Sequence, residues 1–132
     1  MNLKTVGYVK SPYKEKREAP HQGRNKDKVF KIELLENYKK AVEGLDKHKH
    51  LIVLYWQDKA KRDVVFSKTV HGGEPKGIFS TRSPNRPNPI ALNIVDLISI
   101  NDGVLTVKKM DALDGSPVID IKPYIKELDC AE

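Results

Sequence analysis

A chain of 132 residues is long enough for one domain with a core of its own, expected here over residues 1–132. With 39% hydrophobic and 32% charged residues it is too apolar for intrinsic disorder, and its lone Cys130 excludes an intrachain disulfide. The net charge of +6 suits an acidic partner, nucleic acid being the commonest, although basic charge also serves solubility alone.

The N-terminal Met1-Asn-Leu-Lys-Thr-Val lacks the apolar core of a signal peptide. No later run approaches membrane-spanning length, so a cytoplasmic location without membrane contact is expected. Leu3 to Lys10, rich in β-branched and aromatic residues, reads as a first strand stopped by Ser11-Pro12. Lys14 to Lys28 lacks apolar periodicity and reads as a long loop whose lysines and arginines suit RNA phosphates. His21 within it is a base or ligand by type, or simply a solvated histidine. Val29 to Leu34 alternates as a strand does. Leu35, Tyr38, Ala41, Val42 and Leu45 then recur at helical spacing, with Gly44 as a stop signal.

In Lys47-His48-Lys49-His50 no carboxylate or cysteine completes a ligand set, so no metal is expected. Leu51 to Trp56 is a continuous apolar run, read as a central strand buried on both faces with Trp56 in the core. Val64 to Val70 reads as another strand. The following His71-Gly-Gly-Glu-Pro75 is a turn, its glycine pair too short for a phosphate loop. A short strand from Gly77 leads into Arg82-Ser-Pro-Asn-Arg-Pro-Asn-Pro89. Pro84, Pro87 and Pro89 restrict this loop to few conformations. On that frame Arg82, Asn85, Arg86 and Asn88 are preorganised donors for a carboxylate, a phosphate or a base edge. The alternative is a stiff connector with solvated arginines.

Ile90 to Ile100 is a long strand, Asn101-Asp102-Gly103 a hairpin turn, and Val104 to Val107 the return. In the loop Asp111 to Pro117, Asp114-Gly115 is either an ordinary turn or places Asp114 to accept ribose hydroxyls. Val118 to Lys122 is the last strand. Many short strands, one helical insertion and no dinucleotide fingerprint point to a mainly β, small curved-sheet barrel, not a Rossmann fold. Such a basic barrel serves equally as a non-catalytic RNA-binding module or as an enzyme.

Phe79-Ser-Thr-Arg-Ser-Pro-Asn-Arg-Pro-Asn-Pro-Ile90 resembles the signature of the TsaA-like family, the TrmO-type tRNA methyltransferases. Leu113-Asp-Gly-Ser-Pro-Val-Ile-Asp-Ile-Lys-Pro-Tyr124 resembles that family's C-terminal signature, and Glu18-Ala-Pro-His-Gln-Gly23 its N-terminal cofactor loop. The resemblance implies methyl transfer from S-adenosylmethionine to N6 of threonylcarbamoyladenosine beside the tRNA anticodon. It also implies a homodimer with the pocket near the subunit boundary. Carried over residue by residue, it puts Pro20, His21, Gln22, Asp58, Lys59, Arg82, Leu92, Asp114, Gly115, Ser116 and Pro117 around the cofactor. Arg82, Arg86 and Asn88 then shape the catalytic pocket, with no metal. Members commonly place an aromatic residue and a histidine where this chain has Gln57 and Asp58, which keeps a small-molecule acceptor open as the alternative. A ureido-type N6 is a poor nucleophile, and Asp58, Asp114 and His21 are proton acceptors by type.

Overall fold

A computed structural model of the chain describes residues 1–15, 28–68 and 73–132. The strands are β1 (Gly7–Lys10), β2 (Val29–Leu34), β3 (His50–Trp56), β4 (Ile90–Asn101), β5 (Val104–Lys108) and β6 (Pro117–Pro123). They close into an antiparallel barrel in the order β1-β2-β5-β4-β3-β6, as a mainly β reading anticipated. Alternate residues point inwards, and Val9, Phe30, Ile32, Leu51, Val53, Val95, Leu105 and Val107 are completely buried. Each such side chain contributes roughly 1.5–3 kcal/mol of burial. The β4–β5 turn has Asp102 at φ 48° and Gly103 at φ 74°, the mirror-image turn that matches strand twist.

Several expected elements take another form. The helix after β2 is two 3₁₀ stretches, Glu36–Val42 and Leu45–Lys47, joined through Gly44 at φ 86°. Neither buries a residue fully: only Val42 and Leu45 pack, partly buried, against the core, which gives a short segment little to stabilise α-helical pitch. β3 is not buried on both faces. Leu51, Val53 and Tyr55 face the core while Ile52, Leu54 and Trp56 lie half-buried on the outer face, because a single closed sheet has no second layer to cover them. Trp56 is therefore outside the core, with the Arg62 guanidinium 5.0 Å from its ring centroid.

Of the expected Val64 to Val70 strand, the described part makes only an isolated bridge between Phe66 and Gly77. That narrow ribbon, with no third strand, leaves Val65 and Phe66 exposed. Ile78–Ser80 is a 3₁₀ turn instead of a strand, and β1 begins at Gly7, not Leu3.

Register decides where function can sit. Lys10 pairs with Lys31, Tyr8 with Pro117, Tyr55 with Val118, and Trp56 with Ile90. Because consecutive strands always reverse direction, alternate connections emerge at the same end. Residues 11–15, 57–68, 73–89 and 109–116 thus share one end of the barrel, while the 3₁₀ stretches and the Asp102-Gly103 turn occupy the other.

Candidate functional site

The proline loop is held from within by Arg86. Its Nη1 donates to the carbonyls of Thr81 and Ser83, each at 3.1 Å, and its Nη2 to the Ile78 carbonyl at 3.1 Å. Only a planar fork can serve three carbonyls this way. Short side-chain turns add to the frame: the Ser83 N–H donates to Thr81 Oγ1 and the Asn85 N–H to Ser83 Oγ, both at 3.3 Å. From outside, Arg62 Nε donates to the Pro87 carbonyl at 2.8 Å and Nη2 to Asn88 Oδ1 at 3.3 Å. The Lys61 N–H reaches Asn85 Oδ1 at 2.9 Å, and the Gln57 N–H the Pro89 carbonyl at 2.8 Å. Segment 57–62 is thereby clamped against the loop. Arg82 behaves differently: it is exposed and, among the described residues, has no hydrogen-bond partner.

The second loop is tied to the end of β1. The Asp114 N–H donates to the Tyr13 carbonyl at 2.7 Å and the Gly115 N–H to the Val9 carbonyl at 2.8 Å. Asp114 Oδ2 accepts from Lys14 Nζ at 2.8 Å and Oδ1 from the Ser11 N–H at 2.9 Å. The Lys14 hydrogen bond first, then that of Ser11, hold this carboxyl below the usual aspartate range. It is ionised at neutral pH, and each oxygen keeps a further lone pair for a ligand. Gly115 lies at φ 83°, where a side chain would strain the backbone.

Beneath both loops Met110 and Ala112 are buried and close this end of the barrel. The Tyr55 hydroxyl donates to Asp111 Oδ1, while the Asp111 N–H donates to Asn93 Oδ1 at 3.2 Å. Burial first, and the Asp111 carboxylate second, push the Tyr55 hydroxyl far above its ordinary range.

The candidate residues therefore fall into groups. Arg82, Arg86 and Asn88 share one rim with the turn that exposes Asp58 and Lys59. Asp114, exposed Gly115, buried Ser116 and Pro117 form another rim at the same end, with Ser116 Oγ donating to the Leu113 carbonyl at 2.6 Å. Leu92 stands apart on the outer face of β4, opposite Leu54. Pro20, His21 and Gln22 lie outside the described residues, as do Lys16, Arg17, Arg24 and Lys26. His50, once weighed as a ligand, has Nδ1 2.9 Å from Asp96 Oδ1 and packs edge-on against Tyr124.

A cleft of about 330 Å³ lies between Lys10, Lys14, Lys31 and Asp114. A cavity of about 360 Å³ under the 3₁₀ stretches, lined by Tyr38, Val42 and His48, sits at the opposite end and holds no candidate residue. Sequence reasoning missed the Arg62 clamp, the Tyr55–Asp111 pair and the exposure of Phe66 and Phe79. Arg62 shows in sequence only as part of a basic run, and nothing local distinguishes Phe79 from a core aromatic.

Residues 8–130 match the tRNA-methyltransferase O N-terminal domain. The chain is 47% identical, over 98% of its length and 94% of the relative's, to the S-adenosyl-L-methionine-binding protein of Archaeoglobus fulgidus. It is 35% identical to the tRNA (adenine(37)-N6)-methyltransferase of Escherichia coli, covering 91% of this chain and 56% of that protein. The crystal structure of TrmO from Pseudomonas aeruginosa superposes with a TM-score of 0.83 at 30% identity, over 99% of this chain and 59% of that one. The chain thus spans somewhat more than half the length of these last two proteins.

Proposed function

The chain belongs to the tRNA-methyltransferase O N-terminal domain family, and from that premise we propose that it methylates N6 of the adenosine beside the tRNA anticodon, using S-adenosylmethionine. The observation that carries this reading is the meeting of the proline loop and the Asp114 loop at one end of the barrel, the first held by Arg86 and the second tied to the end of β1.

The residues present fit the cofactor. Asp114 offers an ionised acceptor for ribose hydroxyls beside Gly115, and exposed Arg82 offers an uncommitted guanidinium. S-adenosylmethionine supplies a methyl group already activated by its sulfonium. The chain's own task is to hold the acceptor nitrogen in line with that methyl, an alignment worth roughly 7–11 kcal/mol in favourable cases.

Arg82 contacts the reactants in this scheme. Arg86 acts through the loop carbonyls it holds, and Asn88 through its link to Arg62. Asp114, already bonded to Lys14 and Ser11, is too weak a base for the N6 proton. Asp58, exposed on the turn clamped to the proline loop, is the better placed acceptor.

The outer face of β3 and β4 supports a homodimer. Ile90, Leu92, Ile94 and Ile98 are 39–49% exposed there beside Ile52, Leu54 and Trp56. An apolar face of this extent, interrupted by Asp96 between Ile94 and Ile98, calls for cover, which a second copy would supply, placing Leu92 at the boundary. A tRNA substrate supports the cytoplasmic location expected from the sequence.

The test follows labelled methyl from S-adenosylmethionine onto threonylcarbamoylated and unmodified tRNA. Label on the modified tRNA is the expected result. Calorimetric cofactor binding with no label on either tRNA would favour a small-molecule acceptor, and no cofactor binding at all a non-catalytic RNA-binding barrel.

A further inference from the structure

The outer face of β1 and β2 carries an arrangement that the fold does not need. Lys10 and Lys31, both exposed, stand directly opposite one another in register. Like charges so placed repel and destabilise the strand pair. Some other cations do have an acid at hand: Lys39 has Glu36 and Asp102, Lys109 and His50 share Asp96, and Lys122 has Asp120. Among the described residues Lys10 and Lys31 have no such partner.

Lys108 lies across from Val29 on the neighbouring strand, and exposed Lys28 directly precedes β2. Among the described residues no acid makes an ion pair with Lys10 or Lys31. Asp114 is bonded to Lys14 and attracts Lys10 only through space, Asp96 opposite Lys108 is already shared by His50 and Lys109, and Glu33 pairs with Tyr8 further along the strands. The face is continuous with the barrel end that carries the candidate site, since Lys10 leads directly into Ser11 and the Asp114 contact.

We propose that Lys10 and Lys31, flanked by Lys28 and Lys108, form the docking surface for the phosphodiester backbone of the tRNA substrate. This deepens the tRNA reading above and rests on it. A polyanion resolves the repulsion that the free protein carries, and lysines contact phosphates as point charges without reading bases. The surface grips RNA beside the site, leaving recognition of the acceptor base to the loops at the barrel end.

The experiment compares the full chain, the double variant Lys10→Gln/Lys31→Gln, and a control double variant Lys40→Gln/Lys47→Gln in the 3₁₀ region at the opposite end. tRNA affinity is measured across a salt series, and S-adenosylmethionine affinity by calorimetry. Each lost phosphate contact lowers the log–log salt slope by roughly 0.7–0.9, so the double variant should lose about 1.4–1.8. The control should keep the wild-type slope. Cofactor affinity should be unchanged in both. The melting temperature of Lys10→Gln/Lys31→Gln should equal or exceed wild type, because repulsion has been removed.

A wild-type slope in Lys10→Gln/Lys31→Gln overturns the proposal. So does an equal loss in the control, which would make binding a property of the whole surface. Reduced cofactor affinity with an unchanged tRNA slope would assign the cleft to the cofactor instead. If the unaltered protein binds tRNA without salt dependence, this surface falls while the tRNA reading stands; if it binds no tRNA at all, the reading fails and takes this surface with it.

Discussion

Arg82 and Arg86 stand four positions apart and share one chemistry, yet the backbone turns one outward and the other into the loop. Arg86→Lys loses the fork that reaches Thr81, Ser83 and Ile78, and should lower stability by roughly 1–3 kcal/mol, read as a reduced melting temperature. Arg82→Lys should leave the melting temperature unchanged while reducing turnover at least about tenfold, since a lysine cannot replace a bidentate or stacked contact. Wild-type turnover at saturating tRNA and cofactor would reduce Arg82 to a solvated side chain.

Asp114→Ala should weaken S-adenosylmethionine by about tenfold, the loss of a charged acceptor; unchanged calorimetric affinity would remove its ribose role. The pH dependence has a definite sign. The folded state lowers the Asp114 pKa, so its stabilising bonds are present above the unfolded value, about 3.9, and are lost as pH falls through the folded one. Cofactor affinity should therefore be flat from neutrality to about pH 5 and fall only below about pH 4. A midpoint near pH 6 would point to a histidine, not Asp114.

At the scale of elements, the loop 109–116 does two jobs. Its buried Met110 and Ala112 close the barrel, and its tip presents Asp114. The tip depends on Gly115 at φ 83°, where an added Cβ would meet nothing within 4 Å. Gly115→Ala is thus a test of backbone strain alone, expected to cost about 1–2 kcal/mol. If Asp114 works through this geometry, cofactor affinity should fall along with the melting temperature. A stability loss with intact affinity would separate the turn from the site. The 57–62 segment shows the same economy of means: one guanidinium, Arg62, caps Trp56 and fastens Pro87 and Asn88.

For the whole molecule, the apolar face of β3 and β4 and the lysine face of β1 and β2 lie on different strands of the barrel, and each carries its own proposal. Leu92→Glu would put a carboxylate at the centre of the apolar face without disturbing the core, as Leu92 is 43% exposed. Sedimentation should show a dimer for the unaltered chain, as proposed, and monomers for the variant. With Leu92 at the boundary, cofactor affinity should drop as well. A monomeric wild type at micromolar concentration would rule out the homodimer.

The sequence by itself determined what is local and periodic. Val29 to Leu34 alternates because a strand shows opposite faces to core and solvent, and Asn101-Asp102-Gly103 turns because these residues tolerate positive φ. The three sequence blocks likewise identified the family, since each is a contiguous string. Tertiary structure decided what depends on partners far along the chain. Ser11 and Asp114 meet across 103 positions, and Tyr55 and Asp111 across 56. No periodicity encodes such pairings. The continuous apolar run of β3 could not reveal that only one face would be covered, because that depends on the sheet closing into a barrel with no outer layer. Nor could the separate lysines of β1 and β2 reveal their opposition, which exists only once register sets Lys10 against Lys31.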